Sequence, residues 1–206
     1  AQAEFVKLDV TDEQAAEQFF KDVLAKHGAV YGLVNCAGIG PSAKVVGKEG
    51  VHDLAMFSKT LHINVTGTFN MLRFAADAMS KNIVAEGDED RGVIVNTASV
   101  AAFDGQIGQA AYSASKGAVV AMTLPIAREL ARHQIRVLTI APGIMETPML
   151  KGLPQNVQDA LGQMVPYPSR LGRPEEFARL VAHIAENSYL NGEVIRLDGG
   201  IRMAAK

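Results

Sequence analysis

Short β-branched apolar runs alternate along the chain with longer stretches whose apolar residues recur every three or four positions, and Gly and Pro separate the two. Alternation of this kind points to parallel α/β architecture. The strand-like runs are Glu4 to Leu8, Gly32 to Asn35, Gly92 to Thr97, Ile135 to Ile140 and Glu193 to Leu197. The inner three are nearly all apolar, as strands covered on both faces are. Thr11 and Gln14 have capping-box spacing and predict a helix to about Lys26, with Phe19, Phe20, Val23 and Leu24 on its apolar face. Helical patterns also run from about Asp53 to Ser80, from about Gln109 to Ala131, and from Pro174 to about Glu186. Pro125 predicts a bend or break near Ala121. Asn64 and Gly67 are poor residues for a helix interior. Either the helix is distorted there and turns Asn64 toward a site, or Asn64 faces solvent.

Two stretches escape both periods. Ile83 to Asp90 is acidic and reads as a solvated loop between helix and strand. Met145 to Pro174, rich in Pro and Gly, exceeds the length of ordinary connections and reads as a segment that covers substrate.

Composition narrows the class. The chain has 206 residues, 48% of them hydrophobic, and its 20 basic and 22 acidic side chains leave a net charge of -2. One soluble globular domain over residues 1–206 is expected, with no nucleic-acid partner working through a positive field. No apolar run approaches the roughly 20 residues that span a bilayer, so no membrane partner is expected. The single cysteine, Cys36, agrees with a reducing compartment, and a soluble intracellular location, cytoplasm or mitochondrial matrix, is expected.

The densest chemistry lies in Thr97 to Lys116. Tyr112 and Lys116, four apart on a helix, share a face. A free phenol titrates near about 10, and a close cation favours the phenolate. A surface pair has the same spacing. Ser99 ends the apolar strand, where ligands gather in open α/β sheets, though it also suits a turn cap. The small residues of Asn35 to Gly38 let a flat cofactor approach the backbone, or simply end a strand. Ser113 to Lys116 fits an acyl-enzyme SxxK motif, but its companion motifs are missing. There is no GxSxG or HExxH, the five histidines are scattered, and no metal is expected.

Together LDVTD at Leu8 to Asp12, NCAG at Asn35 to Gly38, Asn64, Ser99, YSASK at Tyr112 to Lys116 and APGIMETPM at Ala141 to Met149 resemble the short-chain dehydrogenase/reductase family. Within it the chain is most similar to the type II 3-hydroxyacyl-CoA dehydrogenases, also described as 17β-hydroxysteroid dehydrogenases. The stretches from Arg91 to Leu130, VPYPSRLG and LNGEVIRLDGGIRM carry that closer likeness. The resemblance implies a Rossmann-like, doubly wound, three-layer parallel sheet, a homotetramer, and NAD-dependent interconversion of a 3-hydroxyacyl-CoA and a 3-oxoacyl-CoA, or of hydroxysteroids. It implies Tyr112 as general acid and base, Lys116 lowering its pKa and binding the nicotinamide ribose, Ser99 holding the reacting oxygen, and Asn64 holding a relay water. Gln106 becomes a substrate contact. Asp9 and Val10 fall beside the adenine, Cys36, Ala37 and Gly38 beside the ribose and diphosphate, and Pro142, Met145 and Thr147 toward the nicotinamide.

One departure accompanies these matches. The family's first two βα units, with their TGxxxGxG turn, have no counterpart here, and GIG at Gly38 to Gly40 is followed by Pro41. The expectation is therefore an amino-terminally truncated domain or a fragment. The alternatives are an NADPH-dependent 3-oxoacyl-carrier-protein reductase, for which the residue that separates the cofactors is absent, and a non-catalytic oligomerisation scaffold. Lys44 and Lys48 either meet the phosphates of CoA or remain solvated.

Overall fold

The apolar runs Gly92 to Thr97 and Ile135 to Ile140 pair side by side with their side chains alternating between two helical layers. Gly32 to Asn35 is instead an edge strand with Val34 43% exposed, so the expected cover on both its faces is missing. The structure, a computed structural model, describes residues 3–48, 50–84, 86–87, 89–147, 150, 152 and 154–205. In chain order the elements are α1 (Glu13–His27), β1 (Gly32–Asn35), the small antiparallel pair β2 (Val46–Gly47) and β3 (Gly50–Val51), α2 (Leu54–Leu61), a π turn (His62–Gly67), α3 (Thr68–Ser80), β4 (Gly92–Thr97), a 3-10 turn (Val100–Ala102), α4 (Ala110–Leu130), a second 3-10 turn (Ala131–His133), β5 (Ile135–Pro142), α5 (Gln155–Gln163), α6 (Pro174–Glu186) and β6 (Val194–Leu197). The main sheet has the order β1-β4-β5-β6 and is parallel throughout, with Asn35 opposite Asn96 and Thr97 opposite Ile140.

Adjacent strand residues point to opposite faces. Ile94 and Val137 pack with Phe20 of α1, Leu72 and Met79 of α3 and Ala127 of α4. Val95 and Leu138 pack on the other face against Ile184, Phe177 and Leu180 of α6. This is the expected Rossmann-like, three-layer α/β arrangement, and each fully buried Ile or Leu contributes about 1.5–3 kcal/mol to it.

Several expectations need correction. Glu4 to Leu8 is not a strand: it pairs with no strand among the described residues, and Phe5 is 90% exposed. Without a neighbouring edge, its β-branched and aromatic residues have no ladder to join. The capping box at Thr11 and Gln14 is absent. Thr11 bonds back to Asp9 Oδ1 through both its backbone N–H and its hydroxyl, and Asp12 caps α1 by accepting from Ala15 N–H at 3.0 Å. Pro125 does not break α4. Ala121, the residue whose carbonyl loses its partner, lies with Pro125 on the exposed side, so the missing bond is not buried. The stretch from Met145 to Pro174 is not wholly irregular, since α5 lies within it.

The helix from Asp53 to Ser80 is distorted where its composition is poorest. The π turn spans His62–Gly67, and Asn64 is completely buried. Gly67 is there for space: a Cβ would come within 2.6 Å of Val10 Cγ2. Gly67→Ala should therefore lower stability by about 1–3 kcal/mol, the usual cost of overpacking. Urea denaturation checks this; an unchanged midpoint would show that Val10 yields freely.

Candidate active site

β4 ends at Thr97 and delivers Ser99 to the carboxyl edge of the sheet. Ser99 has extended backbone and caps the 3-10 turn, accepting from Ala101 N–H at 3.1 Å. The cap does not exhaust its hydroxyl, which lines the same cleft as the Tyr112 side chain and favours the phenolate. α4 then carries Tyr112 and Lys116 one turn apart. Lys116 is 6% exposed, its Nζ donates to Thr97 O at 2.7 Å, and it stands 5.8 Å from the centre of the Tyr112 ring.

The electrostatics depart from expectation. Burial raises the Tyr112 pKa above its ordinary value, and the opposing influence is the Ser99 hydrogen bond. Lys116, turned onto the Thr97 carbonyl, does not reverse that rise. Its own pKa is lowered to about 8, chiefly because burial disfavours the cation, with a small opposing influence from Cys36.

Asn64 lies behind this pair. Its Oδ1 accepts from Ile39 N–H at 2.8 Å, and its Nδ2 donates to Ile39 O at 2.8 Å and to Ser115 Oγ at 2.9 Å. Ser115 in turn donates to Tyr112 O at 2.7 Å. The Asn64 side chain is thus a clamp between the loop after β1 and α4. Its backbone carbonyl accepts from Thr68 Oγ1 at 2.8 Å. Sequence reasoning missed Ser115 because its hydroxyl matters only once the π turn has been placed against α4.

Cys36, Gly38, Ser99, Gln106, Tyr112, Lys116, Pro142, Met145 and Thr147 line one cleft of about 510 Å³. Ala37 is exposed beside it, and Asn64 lies beneath its wall. Asp9 and Val10 lie outside the lining. Asp9 is held below its ordinary pKa by hydrogen bonds from Thr11, while Val10 packs beside α3 and Gly67. Gln106 Nε2 donates to Ala204 O at 3.1 Å. Among the described residues no cluster of His, Cys, Asp and Glu is arranged to hold a metal, and no helix is long and apolar enough to cross a membrane.

A family model described as enoyl-(acyl carrier protein) reductase matches residues 1–202. The 3-hydroxyacyl-CoA dehydrogenase type-2 of Homo sapiens is 54% identical over 97% of this chain and 77% of its own length, and that of Bos taurus 53% over the same shares. The chain belongs to the short-chain dehydrogenase/reductase family. Members of this family are oxidoreductases that act on small molecules with a nicotinamide cofactor, and this short-chain dehydrogenase/reductase is one of them. The fold agrees: a crystal structure titled 3-hydroxyacyl-CoA dehydrogenase type-2 from Mycobacterium avium superposes with a TM-score of 0.93 at 37% identity, covering 98% of this chain and 79% of that one. A 3-oxoacyl-[acyl-carrier-protein] reductase of Thermotoga maritima is more distant, at 37% identity over 94% of this chain and 75% of its own.

The cleft suits the nicotinamide end of such a cofactor. Its wall is bare backbone at Gly38 and Gly40, where a Cβ would lie 3.1 Å from Asn64 Oδ1 and 3.5 Å from the Tyr112 ring, respectively. The buried Lys116 ammonium on its floor is a ready donor for ribose hydroxyls.

Proposed function

We propose that the chain interconverts a 3-hydroxyacyl-CoA and a 3-oxoacyl-CoA with NAD as cofactor. The reading is carried by the convergence of Ser99, Tyr112 and Lys116 in one cleft beyond the carboxyl end of β4. The likeness to the type-2 dehydrogenases, closer than that to the carrier-protein reductase, supports the choice of thioester. Cys36, Ala37 and Gly38 hold the cofactor's ribose and diphosphate, and Pro142, Met145 and Thr147 its nicotinamide end. Asp9 and Val10 flank the adenine.

A bound nicotinamide supplies a hydride to the carbonyl carbon, or accepts one from the carbinol carbon in the reverse direction. Ser99 Oγ donates a hydrogen bond to the reacting oxygen and holds it beside Tyr112. In reduction the Tyr112 phenol gives its proton to that oxygen as negative charge develops there. In oxidation the phenolate takes the hydroxyl proton. Burial keeps the phenol protonated near neutral pH, the form that reduction requires. Lys116 binds the ribose and, as a cation, lowers the cost of the phenolate. Asn64 and Ser115 keep α4 in place against the loop that carries Gly38 and Gly40.

The assembly is a homotetramer in this reading, in keeping with the exposed Phe69 on α3 and Leu124 on α4. Initial rates with the protein expressed from its native gene test the reaction. Acetoacetyl-CoA with NADH should be the better pair, and preference for acetoacetyl-carrier protein with NADPH would replace this reading by the reductase one.

A further inference from the structure

The turn from Asp104 to Ile107, which brings Gln106 to the cleft, is held by residues almost a hundred positions away. The Asp104 carboxylate accepts from Arg196 at 2.6 Å, and this partner chiefly keeps its pKa below the usual carboxylate value. Gln106 Nε2 donates to Ala204 O, and Ile107 N–H donates to Ala205 O at 3.0 Å. Residues 203–205 therefore run along the turn as a strap, bonded to it at Ala204 and Ala205. The base of the strap is fixed, because Ile201 is buried and its carbonyl accepts from Arg196 at 3.0 Å. Within the strap, Met203 is the residue that lines the cleft, which Gln106, Gln109 and Leu161 also line.

We infer that Met203 is a specificity-determining residue: carried by the strap, it forms the end wall of the cleft on the substrate side and limits the length of the group attached to the reacting carbonyl. The inference rests on the proposed reading for the position of that carbonyl, beside Ser99 and Tyr112. A thioether wall suits an alkyl group, because it is apolar and offers no strong hydrogen-bond donor. The wall is held by main-chain bonds, so its position survives a change of side chain at residue 203. Gln106 contributes by anchoring the strap through its amide N–H, which leaves its amide oxygen to face substrate.

Two substitutions test the wall from opposite directions. With Met203→Ala the ratio of kcat/KM for long-chain to short-chain 3-oxoacyl-CoA should rise about tenfold over wild type, and with Met203→Trp it should fall about tenfold, the range one or two methylenes command in an apolar pocket. Melting temperatures of both variants verify folding. Ratios unchanged in both variants would overturn the inference. If the wild type reduces no thioester in the series, the proposed function fails, and the wall is then judged by fluorescence. The chain has no Trp, so Met203→Trp carries a single reporter. A change in its emission on adding acetoacetyl-CoA upholds the wall, and no change removes it.

Discussion

Tyr112→Phe is expected to lower the turnover of acetoacetyl-CoA by about 10²- to 10⁴-fold, the usual contribution of a positioned general acid. The substitution removes one oxygen and little else. The phenyl ring keeps its place against Gly40, and Lys116 keeps its bond to Thr97 O. Ser99 retains its cap on Ala101 N–H. NADH affinity, read by the cofactor's fluorescence on titration, should therefore change by only a few-fold, since the contacts proposed for the cofactor are made mainly by other groups. Near-normal turnover would remove Tyr112 from the proton-transfer step. A loss of affinity as large as the loss of rate would mean that the hydroxyl serves binding instead.

Lys116→Met should abolish turnover and weaken cofactor binding while making the protein more stable. The folded-state pKa of about 8 lies below the ordinary 10.5, so folding disfavours the charged form. Below about pH 8 both folded and unfolded chains carry the proton, and the full penalty, of order 3 kcal/mol, is present. Between 8 and 10.5 the unfolded chain binds the proton and the folded chain does not, so stability rises with pH across that window. Methionine has similar reach and no charge. Its variant forfeits the hydrogen bond to Thr97 O, leaving a net gain of about 1–2 kcal/mol near neutral pH. Paired urea titrations at pH 7 and pH 10 check the sign: the advantage of the variant should be larger at the lower pH. A variant less stable than wild type at pH 7 would show that the Thr97 bond outweighs the buried charge.

The parts of the site built from local pattern were legible in the sequence. Continuous apolar runs marked β4 and β5 because both faces of those strands are covered, and the chemistry of an α/β sheet gathers at their carboxyl ends. Asn64 and Gly67 betrayed the π turn because each is costly in a regular helix. What depended on distant partners was not legible. Glu4 to Leu8 has the composition of a strand, but composition does not supply the neighbouring edge. The spacing of Tyr112 and Lys116 put them on one face, yet the direction of the lysine was decided by the Thr97 carbonyl. The strap at Met203 left no local signal, since its partners at Gln106 and Ile107 belong to another part of the chain.

A π turn holds one residue more than the α turn it interrupts, so α2 and α3 differ in phase by about 100°, the rotation of a single helical residue. Deleting one residue between His62 and Gly67 would join them into a regular rod that backbone hydrogen bonding alone would accept. The same deletion would swing α2, which packs on α4, more than a quarter turn relative to α3. The extra residue is thus a reading-frame setting for the helix surface, fixing which face of α2 meets α4 while Asn64 meets Ile39 and Ser115.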